Sequence, residues 1–225
     1  MQRRERLAAG LGLALVFLVV VAAAGIRLDT GIPGLRIVHR IAASLEVVVV
    51  LWLAWMAWRR PAVQLALGLT AVLSVVGIVG GQQPPAALVA VNLFGGLALA
   101  GVFAWILGKS GSEPDFRQRA AEGNRALTPI FLFLLALQVA LGAWLTIVEV
   151  YSAALPAHGM LAIVLSALLV WRAWGNRLLV ALALAAPLAG FSALHYEYSP
   201  LAALLHAAAA AALLAAATHA AGRRA

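Results

Sequence analysis

The sequence has no cysteine, and only 11% of its residues are charged. The first absence excludes disulfides and thiolate metal sites. The second, set against 64% hydrophobic residues and a mean hydropathy of +1.00, excludes a water-soluble domain. Long polar stretches are scarce too, so any chemistry has to sit within or at the edge of a bilayer. What the chain has in quantity is apolar runs. A spanning helix needs about 20 mostly apolar residues to cross a hydrocarbon layer about 30 Å thick. Runs of that kind, bounded by charge or Pro/Gly clusters, lie at 8–26, 36–58, 62–80, 86–107, 127–149, 154–174, 177–194 and 200–220. The expected fold is all-α, an integral membrane protein of eight transmembrane helices. The first run follows Arg3, Arg4 and Arg6 as an export signal would. It is longer than the usual signal core and no convincing cleavage site followed by soluble sequence comes after it, so it is read as a span.

A net charge of +8 invites a nucleic-acid reading, but its distribution marks topology instead. Of the 16 Lys and Arg, all but Arg27, Arg36 and Arg40 fall on one side of the expected helices. The positive-inside rule makes that side cytoplasmic, with both termini on it, in a cell's inner (plasma) membrane. Nucleic acid is not an expected partner; membrane lipid is.

The longest polar segment, Lys109 to Arg125, divides the chain near its middle and reads as a cytoplasmic linker over 109–126. The flanking pieces, 1–108 and 127–225, show weak internal similarity, which predicts two tandem four-helix bundles entering the membrane in the same direction. In that alignment His39 stands opposite His158, and Asn92 opposite His206. The alanine-rich last helix is expected to be a close-packing surface, with room beside His206 for something wide and flat.

An imidazole in hydrocarbon must find a partner, because an unpaired buried polar group costs several kcal/mol. His39, His158 and His206 each lie a short way inside the outer end of their helix and share one layer. Two histidines at matched depth on the second and fourth helices of one bundle can approach a planar macrocycle from opposite faces, the geometry of a membrane b-type haem. His158 and His206 meet that condition; the alternative is a pair of core histidines bonded to backbone carbonyls. The first half offers His39 with Asn92 opposite, and an amide is a poor axial ligand. That half can hold a five-coordinate haem, a transient haem substrate, or nothing. Arg27, Arg36 and Arg40 suit haem propionates, arginine being fitted to bidentate carboxylate binding, or else snorkel at the interface. Glu46, two turns below His39, demands a partner: a proton relay or a bond to a neighbouring helix. Gln64 and Gln138 read as interhelical hydrogen-bond partners. His219 reads as cytoplasmic-interface, and His195, Tyr196, Glu197 and Tyr198 as an outer aromatic belt; Glu149 needs only solvent.

The segment IRLDTGIPGLRIVHR resembles the region of haem A synthases where an outer loop with an arginine and a Thr-Gly pair leads to a His-Arg pair opening the second helix. LQVALGAWLTIVEVYSAALPAHGMLA resembles the second-half equivalent, a Gln-Val-x-Leu-Gly-x-Trp run followed by a ligand histidine. The resemblance covers nearly the whole chain. It implies a membrane oxidoreductase that converts a methyl group of haem O to the formyl group of haem A for cytochrome oxidase assembly. It also implies haem b on His158 and His206, and a substrate haem at His39, the catalytic position, beside Arg40. Haem O synthase or terminal oxidase subunits are the implied partners. The sequence departs from that pattern in the first half: Arg36 stands where the family usually has Glu, Asn92 where it has a second His, the outer loop is short, and no cysteine pair is present. The alternative is a non-catalytic haem b electron-transfer or assembly subunit. A haem-free transporter is disfavoured, since matched charged or Gly/Pro-broken midplane sites are missing.

Overall fold

In so apolar a chain each backbone N–H and C=O must be satisfied within its own segment, which a helix achieves. The computed structural model describes residues 3–81, 84–110, 129–148, 154–195 and 199–223. Among them every regular element is a helix: α1 (Arg3–Arg27), α2 (Leu35–Ala57), α3 (Pro61–Gly80), α4 (Ala86–Ser110), α5 (Pro129–Val148), α6 (Ala154–Arg172), α7 (Arg177–His195) and α8 (Pro200–Gly222). Each corresponds to one expected run. The largest discrepancy is α1, which begins at Arg3 rather than residue 8. Hydropathy marks where a chain can be buried in lipid, whereas a charged segment of good helix formers continues the helix beyond that point. The linker expected over 109–126 lies outside the described residues beyond Ser110, as do Glu149, Tyr196, Glu197 and Tyr198. His195, expected in the last outer loop, instead closes α7 and stacks on Phe191, ring planes 10° apart.

Six helices, α1 to α4, α7 and α8, are long and apolar enough to cross a membrane; α5 and α6 contain the shorter apolar stretches Phe131–Gly142 and Leu155–Trp171. Proline opens α3 and α8, where its missing N–H removes no helical bond. The α1–α2 turn closes on Gly34 at φ 79°, a left-handed conformation that glycine adopts without steric cost.

α1 packs on α2 and α4, and α3 packs on the same two; α7 packs on α6 and α8, and so does α5. α4 and α8 lie against each other, α1 also touches α8, and α5 touches α4. The core follows these contacts. Phe103 of α4 is fully buried over Gly12 of α1, with Val16 and Leu99 beside it. Along the α4–α8 seam the small residues of α8 come inward, Ala217, Ala220 and Ala221 being buried, as the close-packing expectation holds. A Cβ on Gly222 would lie 2.7 Å from the Trp105 carbonyl oxygen, and one on Gly108 would collide with the carbonyl oxygen of His219. Glu5 and Arg60, 3.0 Å apart, tie the start of α1 to the α2–α3 turn, so these lie at one end of the molecule. The outward faces are apolar: Trp55 is 85% exposed and Ile78 80%.

The α4–α8 approach predicts that Gly108→Ala and Gly222→Ala each destabilise by about 1–3 kcal/mol through overpacking. Gly68→Ala, which meets nothing within 4 Å, should not. Thermal unfolding in detergent checks this; three equal midpoints would mean that the helices do not meet there.

Candidate functional site

The site begins with a register between neighbouring helices. Three histidines each direct Nδ1 at the residue 20 positions earlier, on the helix before. His206 Nδ1 lies 2.7 Å from the carbonyl oxygen of Ala186 on α7, and His39 Nδ1 lies 3.2 Å from that of Val19 on α1. A carbonyl only accepts, so Nδ1 donates in both rings and Nε2 is left as a lone pair. At His158 the same position is Gln138 of α5, and its side chain takes the place of the carbonyl. Gln138 Nε2 lies 2.7 Å from Nδ1 and 2.8 Å from the backbone oxygen of His158.

Each histidine of the second pair also rests on a glycine of the neighbouring helix. A Cβ on Gly142 would come within 2.6 Å of His158 Cε1, and one on Gly190 within 3.0 Å of His206 Cε1 and Nδ1. These notches let α6 and α8 lay their imidazoles against α5 and α7. The two rings then meet edge to face, centroids 6.2 Å apart and planes at 88°. Both residues are half-buried.

Chemically, this is a two-imidazole donor set. A metal held at about 2 Å from one nitrogen of each ring puts the ring centroids about 6 Å apart, close to the separation present. Among the described residues no group of three or more His, Cys, Asp or Glu is gathered that could hold a bare ion. A haem needs no such group, since its porphyrin supplies four of the iron's ligands and the protein only the axial ones. In that role His206 would use its Nε2, and His158 would use its own Nε2 only with the proton on Nδ1, the reverse of the arrangement in which Gln138 Nε2 donates to Nδ1.

The first half is arranged differently. His39 is half-buried and tethered to Val19, and Asn92 is half-buried on α4, with no hydrogen bond to His39 among the described residues. Arg36 and Arg40 are exposed; Arg36 lines an open cleft of about 380 Å³ with Ile26, Thr30 and Leu35. The Arg27 side chain turns inward, its Nε buried without a hydrogen-bond partner. Glu46 is buried and accepts a 2.8 Å bond from the Thr70 hydroxyl on α3, the neighbouring-helix arrangement rather than a relay to His39. Of the two glutamines, Gln138 does bridge helices, whereas Gln64 caps the Trp58 carbonyl across the α2–α3 turn at 3.0 Å. His219 meets the Ala104 carbonyl at 3.3 Å on the α4–α8 seam, apart from the facing pair.

Gln138 and Gly142 belong to the Gln-Val-x-Leu-Gly-x-Trp run quoted from the sequence, but their contacts with His158 are shown only by the structure, and Gly190 carries no sequence motif. The available signal was arithmetic: a glutamine twenty residues, and a glycine sixteen residues, before a membrane histidine. Comparison with family models, curated proteins and solved structures finds no match to this chain.

The Glu46–Thr70 bond predicts that Thr70→Val, which leaves a buried carboxyl without its donor, costs about 1–3 kcal/mol, while Thr70→Ser costs little. Unfolding midpoints of the two variants in detergent make the comparison. A Val variant as stable as the native chain would show that the bond is dispensable.

Proposed function

We propose that this chain is a haem-binding integral membrane protein whose C-terminal half, 127–225, holds haem b between His158 and His206. In this reading 1–108 and 127–225 are tandem four-helix bundles with all eight helices spanning, both termini lie in the cytoplasm, and the membrane is the cell's inner (plasma) membrane. The observation that carries the haem assignment is the facing pair itself: two imidazoles 6.2 Å apart, each with Nδ1 hydrogen-bonded and its ring seated on a glycine. Two core histidines needing only backbone bonds have no reason to lie against each other.

The tandem arrangement is supported by the packing. Exchanging α1–α4 for α5–α8 in order turns the set of packed helix pairs into itself, so that α1 with α2, α4 and α8 becomes α5 with α6, α8 and α4. The membrane is supported by the apolar outward faces, which would be an aggregation surface in water.

We place the activity with haem A synthase-type oxidoreductases, acting on a methyl group of haem O, on the strength of the motif resemblance. A haem with two histidine axial ligands supplies one-electron transfer, its iron having no open position. The residues of this chain hold the axial imidazoles in orientation and exclude water with apolar helices. In the first half His39 presents a free Nε2, and Arg27, Arg36 and Arg40 supply cations for propionates of a substrate haem. A second reading, a haem b electron carrier or assembly subunit without that chemistry, is favoured by one observation. In the internal sequence alignment Asn92 stands where the second half has His206, so the first half lacks a second strong ligand.

Extraction of haems from the purified chain, with chromatography and a pyridine haemochrome spectrum, separates these readings. His158→Ala and His206→Ala should each abolish low-spin haem b, and His39→Ala should retain it. Haem O or A recovered with haem b supports the enzyme, and haem b alone supports the carrier. Low-spin haem undiminished in His206→Ala would refute the site.

A further inference from the structure

Gln138 tethers His158, yet its surroundings differ from those of the two carbonyls it parallels. Val19 and Ala186 offer His39 and His206 a backbone oxygen, which can only accept. Gln138 offers an amide, which can accept through oxygen or donate through nitrogen. As placed, its Nε2 donates to both the His158 carbonyl oxygen and Nδ1, which keeps the ring proton on Nε2. Its Oε1 is then buried with no partner, beside a ring nitrogen able to carry a proton. Turning the amide over lets Oε1 accept from Nδ1–H, at the expense of the bond to the His158 carbonyl. Only that second arrangement leaves the Nε2 lone pair of His158 free to bind a metal.

Resting on the haem reading, we infer that Gln138 is a positioning residue that selects which nitrogen of His158 carries the proton, and thereby tunes the reduction potential of an iron held there. An acceptor on the far nitrogen of an axial histidine raises the basicity of the ligating one and favours the oxidised metal. His206 has a fixed carbonyl acceptor, so the adjustable ligand is His158.

The test is a redox titration of the purified full-length protein in detergent, with haem per chain measured alongside, for the native chain, Gln138→Leu and Gln138→Glu. Leucine removes the acceptor and should move the haem midpoint to more positive potential. Glutamate, which cannot donate once ionised and accepts more strongly, should move it to more negative potential. A residue that merely fills space would not produce shifts of opposite sign. Equal midpoints in haem-loaded proteins, or shifts in the same direction, overturn the inference while leaving the haem site standing. If Gln138→Leu cannot be recovered folded, Gln138→Glu against the native chain decides, and no negative shift counts against it. A native chain that carries no haem removes the underlying reading instead, a result distinguishable at the first measurement.

Discussion

An imidazole placed among apolar helices has two nitrogens to satisfy and almost nothing nearby to satisfy them with. In this protein one nitrogen is dealt with by helix register: the residue twenty positions earlier, on the preceding helix, meets Nδ1 at His39, His158 and His206. The other nitrogen is left for something else. In the second half two such histidines meet edge to face, with ring centroids 6.2 Å apart, and the neighbouring helices are shaped to hold them there. Gly142 and Gly190 permit the rings to lie close to the neighbouring helices, and the α7–α8 packing fixes the depth of His206. Pro187, which removes one N–H from the ladder of α7, sits next to the Ala186 carbonyl that receives His206.

The two halves use the same register for different ends. His39 and His158 make the same Nδ1 contact with the residue twenty positions earlier, but only in the second half does another imidazole, that of His206, lie against the first. The first half puts its other polar groups elsewhere: Glu46 is bonded to Thr70, and Arg27, the last residue of α1, has its Nε buried. In the second half Gln138 reaches His158, while Asn176, Ser192 and Thr218 bond locally within their own helices or turns.

Much of the architecture could be read from hydropathy, because a bilayer imposes length and polarity on each crossing segment without regard to its neighbours. All eight helices fall where apolar runs lie, and the depth-matched histidines could be paired by counting residues from the helix ends. Contacts between helices were less accessible. Which residue of α5 meets His158 depends on the tilt and loop geometry of that hairpin, so Gln138 looked no different from Gln64, although one holds a candidate ligand and the other only caps a turn. The close approach of α4 and α8 at Gly108 and Gly222 was equally hidden, since a small residue records that something is near without saying what. His195 was displaced from loop to helix for a simpler reason: an outer turn and the last turn of a helix look alike in composition.

The central claim is that His158 and His206 are the two axial ligands of one haem. An electron paramagnetic resonance spectrum of the oxidised, purified protein tests it most directly, because the signal reports both the number of strong ligands and the mutual orientation of their planes. With ring planes at 88°, the account predicts a low-spin ferric signal of the strongly anisotropic type given by near-perpendicular imidazoles. A high-spin ferric signal, or a preparation with no haem iron, would contradict it.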